Sequence, residues 1–87
     1  MTKHILKLQE EYFDAVLNDV KTFEVRKNDR DYKIGDTLVL SCYCGNECTQ
    51  RQAVRYISYI LTHEQFPSGV PEGYVIMGIK RLREWPN

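Results

Sequence analysis

HILKLQEEYFDAVLNDVKTFEVRK, residues 4–27, changes its hydrophobic period twice, and those two changes decide the fold. HILKL (4–8) is short, apolar and β-branched, which predicts a strand. Through QEEYFDAVLND (9–19) and on to the next residue, Phe13, Val16, Leu17 and Val20 recur at helical spacing. Glu10, Glu11 and Asp14 occupy the opposite face, and acids in a first turn complement the helix dipole. Asn18 and Asp19 close the helix, because both tolerate the left-handed conformation of a C-cap. KTFEVRK (21–27) then alternates with period two. That alternation sends Phe23 and Val25 to a core face and Thr22, Glu24 and Arg26 to a charged one.

Working outward, DTLVLSCYC (36–44) predicts a strand after a turn at Gly35, and GNECTQRQ (45–52) a hairpin-like connection. AVRYISYIL (53–61) is apolar on both alternations, as in a sheet covered on both faces. PSGVPEG (67–73) is a loop, YVIMGIKRL (74–82) the last strand and REWPN (83–87) a tail. One helix against about five strands defines an α+β domain spanning 1–87. The helix would plug one end of a small curled sheet or barrel and bury Phe13, Val16 and Leu17.

The chain is 43% hydrophobic and 28% charged, a globular composition. Twelve basic and twelve acidic side chains cancel, which argues against a protein that coats polyanions through a large basic excess. A local basic cleft in a neutral molecule stays open. The N-terminal segment has no apolar h-region, and no run is long enough to span a bilayer, so a cytoplasmic location without a membrane partner is the expectation.

The segment DVKTFEVR (19–26) resembles the G-x-K-x-x-E-x-R signature of the ASCH domain, a relative of the PUA fold. The longer run from HILKL to DTLVL (4–40), and EGYVIMGI (72–79), look more specifically like a bacterial and phage branch of that superfamily known as a domain of unknown function. Asp19 stands where the signature has glycine, which a left-handed C-cap tolerates. The resemblance implies a PUA-like pseudo-barrel, a cleft lined by the signature residues, and RNA or a nucleotide as partner; it implies no cofactor. One ASCH branch instead hydrolyses the amide of acetylated cytidine, using a hydroxyl residue where this chain has Glu24. On that alternative Lys21 would be nucleophile or base and Glu24 the proton carrier. A third reading is a protein-interaction module of a phage or mobile element.

Glu24 and Arg26 lie two apart on a strand and so share a face. Arg26 offers a planar fork for phosphate or carboxylate, and Glu24 can hold that fork or accept from a base amino group. A structural ion pair on a polar sheet face is the plainer alternative. Strict alternation sends Lys21 to the other face, so it joins the cleft only if the strand begins after it. Lys27, Asn28, Asp29 and Arg30 form a turn-like segment in which Asp29 fixes the loop and Lys27 and Arg30 approach an anion, or all four are solvated. His4 alternates with Leu6 and Leu8, a pattern that suits a structural histidine; the family resemblance makes it a site candidate. Tyr32, Tyr56, Tyr59 and Tyr74 are candidate stacking platforms or half-buried strand residues.

Cys42, Cys44 and Cys48 fall within seven residues. Three thiolates with His63 as a distant fourth ligand would complete a zinc set, but structural zinc sites ordinarily use two well-spaced pairs. Reduced, metal-free thiols are therefore expected. Metal analysis of protein purified without chelator should find no stoichiometric zinc. A zinc signal that disappears in Cys44→Ser would overturn this reading.

Overall fold

The computed structural model describes residues 1–82, which form β1 (Lys3–Gln9), α1 (Glu10–Leu17), β2 (Phe23–Lys27), β3 (Thr37–Cys44), β4 (Glu47–Thr62) and β5 (Tyr74–Lys80). The order of strand, helix and four strands is the expected one, and the class is α+β. The five strands make one mixed sheet in the order β1-β3-β4-β5-β2. Only the β1–β3 pair is parallel, because the chain must cross over through α1 and β2 before β3 returns beside β1.

The curl comes from β4. Its first half pairs with β3 and its second half with β5, and Tyr56 is in register with both Thr37 and Lys80. Irregularities at Ser41/Tyr43 and Ile57/Tyr59 bend the ladder further. The segment 45–52, expected as a turn-rich connection, is mostly strand. A two-residue turn at Gly45–Asn46, with Gly45 at φ 62°, suffices to reverse the chain. β5 stops at Lys80, two residues short of the expected end.

Alternate residues line the concave side: Leu6 and Leu8 from β1, Leu38 and Leu40 from β3, and Val75, Met77 and Ile79 from β5. Phe13 and Val16 of α1 cap this core, each 1% exposed. The helix is shorter than predicted. Asn18 is its C-cap, and Asp19 at φ 59° adopts the left-handed turn expected of it. Val20 N–H and Lys21 N–H both return to the Ala15 carbonyl. That turn swings Val20 off the apolar stripe and leaves it exposed; Leu17, expected in the core, is also exposed, at the last position of the helix.

The largest correction concerns β2. Phe23 and Val25 are 46% and 45% exposed, while Glu24 is 2% exposed. The alternation was legible, but its inside and outside are reversed. Register explains why: Glu24 pairs with Met77, which faces the core, and Phe23 and Val25 pair with Gly78 and Ile76 on the outer side.

At the start of the sheet, Asp36 is a buried staple. Its carboxylate accepts from the Thr2 N–H (3.1 Å) and the Lys33 N–H (3.0 Å), and meets His4 Nε2 at 2.8 Å. Burial pushes the Asp36 carboxyl up, but these hydrogen bonds and the attraction of His4 outweigh it and hold it below the usual carboxylate range. A depressed carboxyl contributes stability above its unfolded pKa, near 4, and that contribution is lost as pH falls through the lower folded value. Asp36→Ala should therefore lower unfolding free energy by about 1–3 kcal/mol at neutral pH. Urea titrations across acidic pH should show the gap between wild type and variant closing below about pH 4.

Candidate ligand-binding cleft

β1 and β2 are the two edges of the sheet, and the curl brings them face to face. Two arginines span the seam: Arg26 Nη2 donates to the Lys7 carbonyl at 2.8 Å, and Arg30 Nη1 to the Ile5 carbonyl at 3.2 Å. Beside Arg26 the seam opens into a pocket of about 360 Å³ bounded by β1, the first turn of α1 and β2. Lys7, Gln9, Tyr12, Lys21, Glu24 and Arg26 contribute its polar lining.

Glu24 is nearly inaccessible, and each carboxylate oxygen is committed to a different cation. Oε1 accepts from Lys21 Nζ, and Oε2 from Arg26 Nε at 2.9 Å. Because β2 begins only at Phe23, Lys21 lies on the connector and is released from strand alternation, which lets it reach the same carboxylate. Its Nζ also donates to the Phe23 carbonyl at 2.7 Å. A carboxylate this buried is tolerable only because two cations and their hydrogen bonds offset its desolvation. Arg26 uses two N–H donors on Glu24 and Lys7, leaving the others of its five without a partner among the described residues.

On the other side of Arg26, a second pocket of about 220 Å³ is lined by Leu6, Arg26, Lys27, Asp29, Arg30 and Tyr32. Burial pushes the Tyr32 phenol above its ordinary value, against the pull of Arg30 and Arg26. It stays a neutral hydrogen-bonding group.

The structure thus gathers Lys21, Glu24, Arg26, Lys27 and Arg30 along one seam. Two predicted site residues lie off it. His4 is buried, bonded to Asp36, with its ring 4.7 Å from that of Tyr32, and lines neither pocket. Asn28 is exposed, donates its N–H to the Gly73 carbonyl at 2.8 Å, and also lines neither. Among the predicted tyrosine platforms, only Tyr32 lines the seam. Tyr56 is buried, Tyr74 half-buried, and Tyr59 stands on the outer face opposite Gly78. Sequence reasoning passed over Lys7, Gln9 and Tyr12. The available signal was Tyr12, an aromatic beside the Phe13–Val16 stripe and outside it, at the end of α1 that meets β1.

The three thiols do not converge. Cys42 is buried in the core, and Cys44 and Cys48 are exposed, paired with Glu47 and Tyr43 at successive positions and hence on opposite hairpin faces. His63 is elsewhere, its Nδ1 2.7 Å from the Val70 carbonyl. Among the described residues no group of three His, Cys, Asp or Glu side chains is placed to hold a metal. Nor is any helix there long and apolar enough to cross a membrane.

Fold and cleft together define a small α+β domain built around a buried carboxylate between two cations. The chain belongs to the family described as Domain of unknown function (DUF3850), whose model matches residues 3–79. It is also similar to an "Uncharacterized 12.9 kDa protein in GpA 3'region" of Escherichia phage P2, with 54% identity over 37 residues. That similarity covers 42% of this chain and 34% of the phage protein, about a third of the relative's length.

Glu24→Ala would leave Lys21 and Arg26 facing a desolvated hole and should cost about 3–5 kcal/mol in urea unfolding. Val25→Ala, at a half-exposed outer position, should cost less than about 1 kcal/mol. A reversed order of the two would restore the β2 orientation that the sequence alone suggests.

Proposed function

We propose that the chain is an ASCH-type, PUA-like domain that binds RNA or a nucleotide in the cleft between β1 and β2. The observation that carries this reading is the Glu24 carboxylate, 2% exposed and clamped by Lys21 and Arg26 where the seam widens into a pocket. The signature K-x-x-E-x-R is thereby a single cluster rather than three solvated charges. A curled mixed sheet with one helix after its first strand supports the fold kinship.

The chemistry suits a nucleobase. Glu24 lines the pocket from beneath Lys21 and Arg26, so a base amino group gains a Glu24 oxygen as acceptor by displacing one of these more exposed partners. Tyr12, 49% exposed at the rim, offers a ring on which an unpaired base stacks. Phosphate falls to Arg26, Lys27 and Arg30 in the adjoining pocket. A volume of about 360 Å³ lies within the range of small-ligand sites.

Lys21 favours binding over catalysis here. Its Nζ donates to both Glu24 and the Phe23 carbonyl, and a group engaged as a donor on two oxygens is poorly placed to attack an amide carbon.

Arg26→Ala should weaken nucleotide or single-stranded RNA binding by tenfold or more, the loss of charge-assisted hydrogen bonds worth about 1.5–3 kcal/mol. Isothermal titration reads the affinity, and circular dichroism confirms that the variant is folded. Glu24→Gln should shift base preference. Incubation with acetylated cytidine separates binding from turnover: cytidine release that vanishes in Lys21→Ala would replace this reading with the amidohydrolase. Absence of both binding and release would leave the protein-interaction module.

A further inference from the structure

Two pockets flank the one above Glu24, and each shares a cation with it. Arg26 lines both the central pocket and the smaller one beside Tyr32. Lys21 lines both the central pocket and a third, of about 420 Å³, that reaches Ser58 on β4. In the order Tyr32 side, Glu24, Ser58 side, each neighbouring pair thus has one shared cation between them. Glu24 sets both dividers, one oxygen holding Lys21 and the other Arg26.

Charge along this track is uneven. The Tyr32 side brings Arg26, Lys27 and Arg30 against Asp29. The Ser58 side brings Lys21, Arg55, Lys80 and Arg81 together with Asp19, which is ion-paired with Arg81 at 2.8 Å and with Arg55 at 3.8 Å, while Lys21 is held by Glu24. Those cations come from the α1–β2 connector, β4 and the end of β5, so no local run of basic sequence accounts for their meeting. Thr22 and Ser58 add hydroxyl donors, and Ser58 lies in the irregular stretch between Ile57 and Tyr59, where it is released from the regular ladder. Between the two cationic ends sit the buried carboxylate and the exposed Tyr12 ring, groups that suit a base.

Resting on the base-pocket reading above, we propose that the track holds an internal nucleotide of a single strand, with its base over Glu24 and the phosphates on its two sides in the flanking pockets. A single strand repeats this alternation of anionic backbone and apolar, hydrogen-bonding base. A free nucleoside carries no phosphate to set against Lys27 on one side or Lys80 on the other. A base paired within a duplex has its Watson–Crick edge occupied and cannot offer it to a buried carboxylate.

The test titrates the chain of residues 1–87 with a nucleoside, its 5′-monophosphate, its 3′-monophosphate and its 3′,5′-bisphosphate, for each of the four bases. For the preferred base, each phosphate should tighten binding roughly tenfold, and the bisphosphate should bind tightest. Lys27 and Lys80 are exposed and serve one flanking pocket each, so neither alanine variant threatens folding. Lys27→Ala should abolish most of the gain from one phosphate and Lys80→Ala that from the other. Each should also reduce the salt dependence of trinucleotide binding by about 0.7 in log–log slope. A nucleoside that binds as well as its bisphosphate would overturn the flanking sites and leave the base pocket standing. A phosphate gain indifferent to both lysines would likewise overturn this assignment. Failure of every ligand to bind would remove the base pocket as well.

Discussion

A carboxylate buried in an apolar core is costly, and the lower half of this domain is arranged around making one tolerable. Glu24 shares a face with Met77 and is almost closed to solvent. Its two oxygens draw Lys21 from the connector and Arg26 from farther along β2. Arg26 then extends to the β1 backbone at Lys7. One anion thus ties together the helix exit, an edge strand and the opposite edge of the sheet. Removing Glu24 would take the shared anion from both cations, and removing either cation would leave one buried carboxylate oxygen without its charged partner, which is why such clusters are sensitive to single substitutions.

The cleft follows from how the sheet ends. A five-stranded sheet that curls without closing leaves two edges with unpaired backbone groups, an invitation to unwanted strand pairing. Here Arg26 and Arg30 satisfy β1 carbonyls from across the seam, joining the edges by side chains instead of a ladder. A backbone ladder would have closed the barrel and filled the gap. Side-chain bridges hold the edges near each other yet leave space between, and they place guanidinium groups along that space.

Neutral composition conceals this local imbalance. Glu10 and Asp14 of α1 pair with Arg51 on β4, binding the helix to the β3–β4 hairpin. Asp36 is spent on His4 and the backbone amides of Thr2 and Lys33. With these acids committed elsewhere, the seam is left with a cationic surplus around a single buried carboxylate. A zero net charge thus leaves room for a local cationic surface.

Local periodicity was enough to determine the element order, the helix exit at Asn18–Asp19 and the pairing of Glu24 with Arg26 on one face, because each depends on residues close in sequence. The resemblance to the ASCH signature added the choice of Lys21, which alternation alone would have sent away. Which face of β2 is inside was not local information. Two apolar residues alternating with two charged ones suggest an apolar interior, and only the register against Gly78, Met77 and Ile76 reverses it. The role of His4 likewise waited for Asp36, thirty-two residues away in sequence. Lys7, Tyr12 and Lys80 carry no motif; they enter the groove because the bent β4 strand brings the sheet edges together. Spacing along the chain decides which side chains share a face, whereas strand register and sheet curvature decide what that face meets.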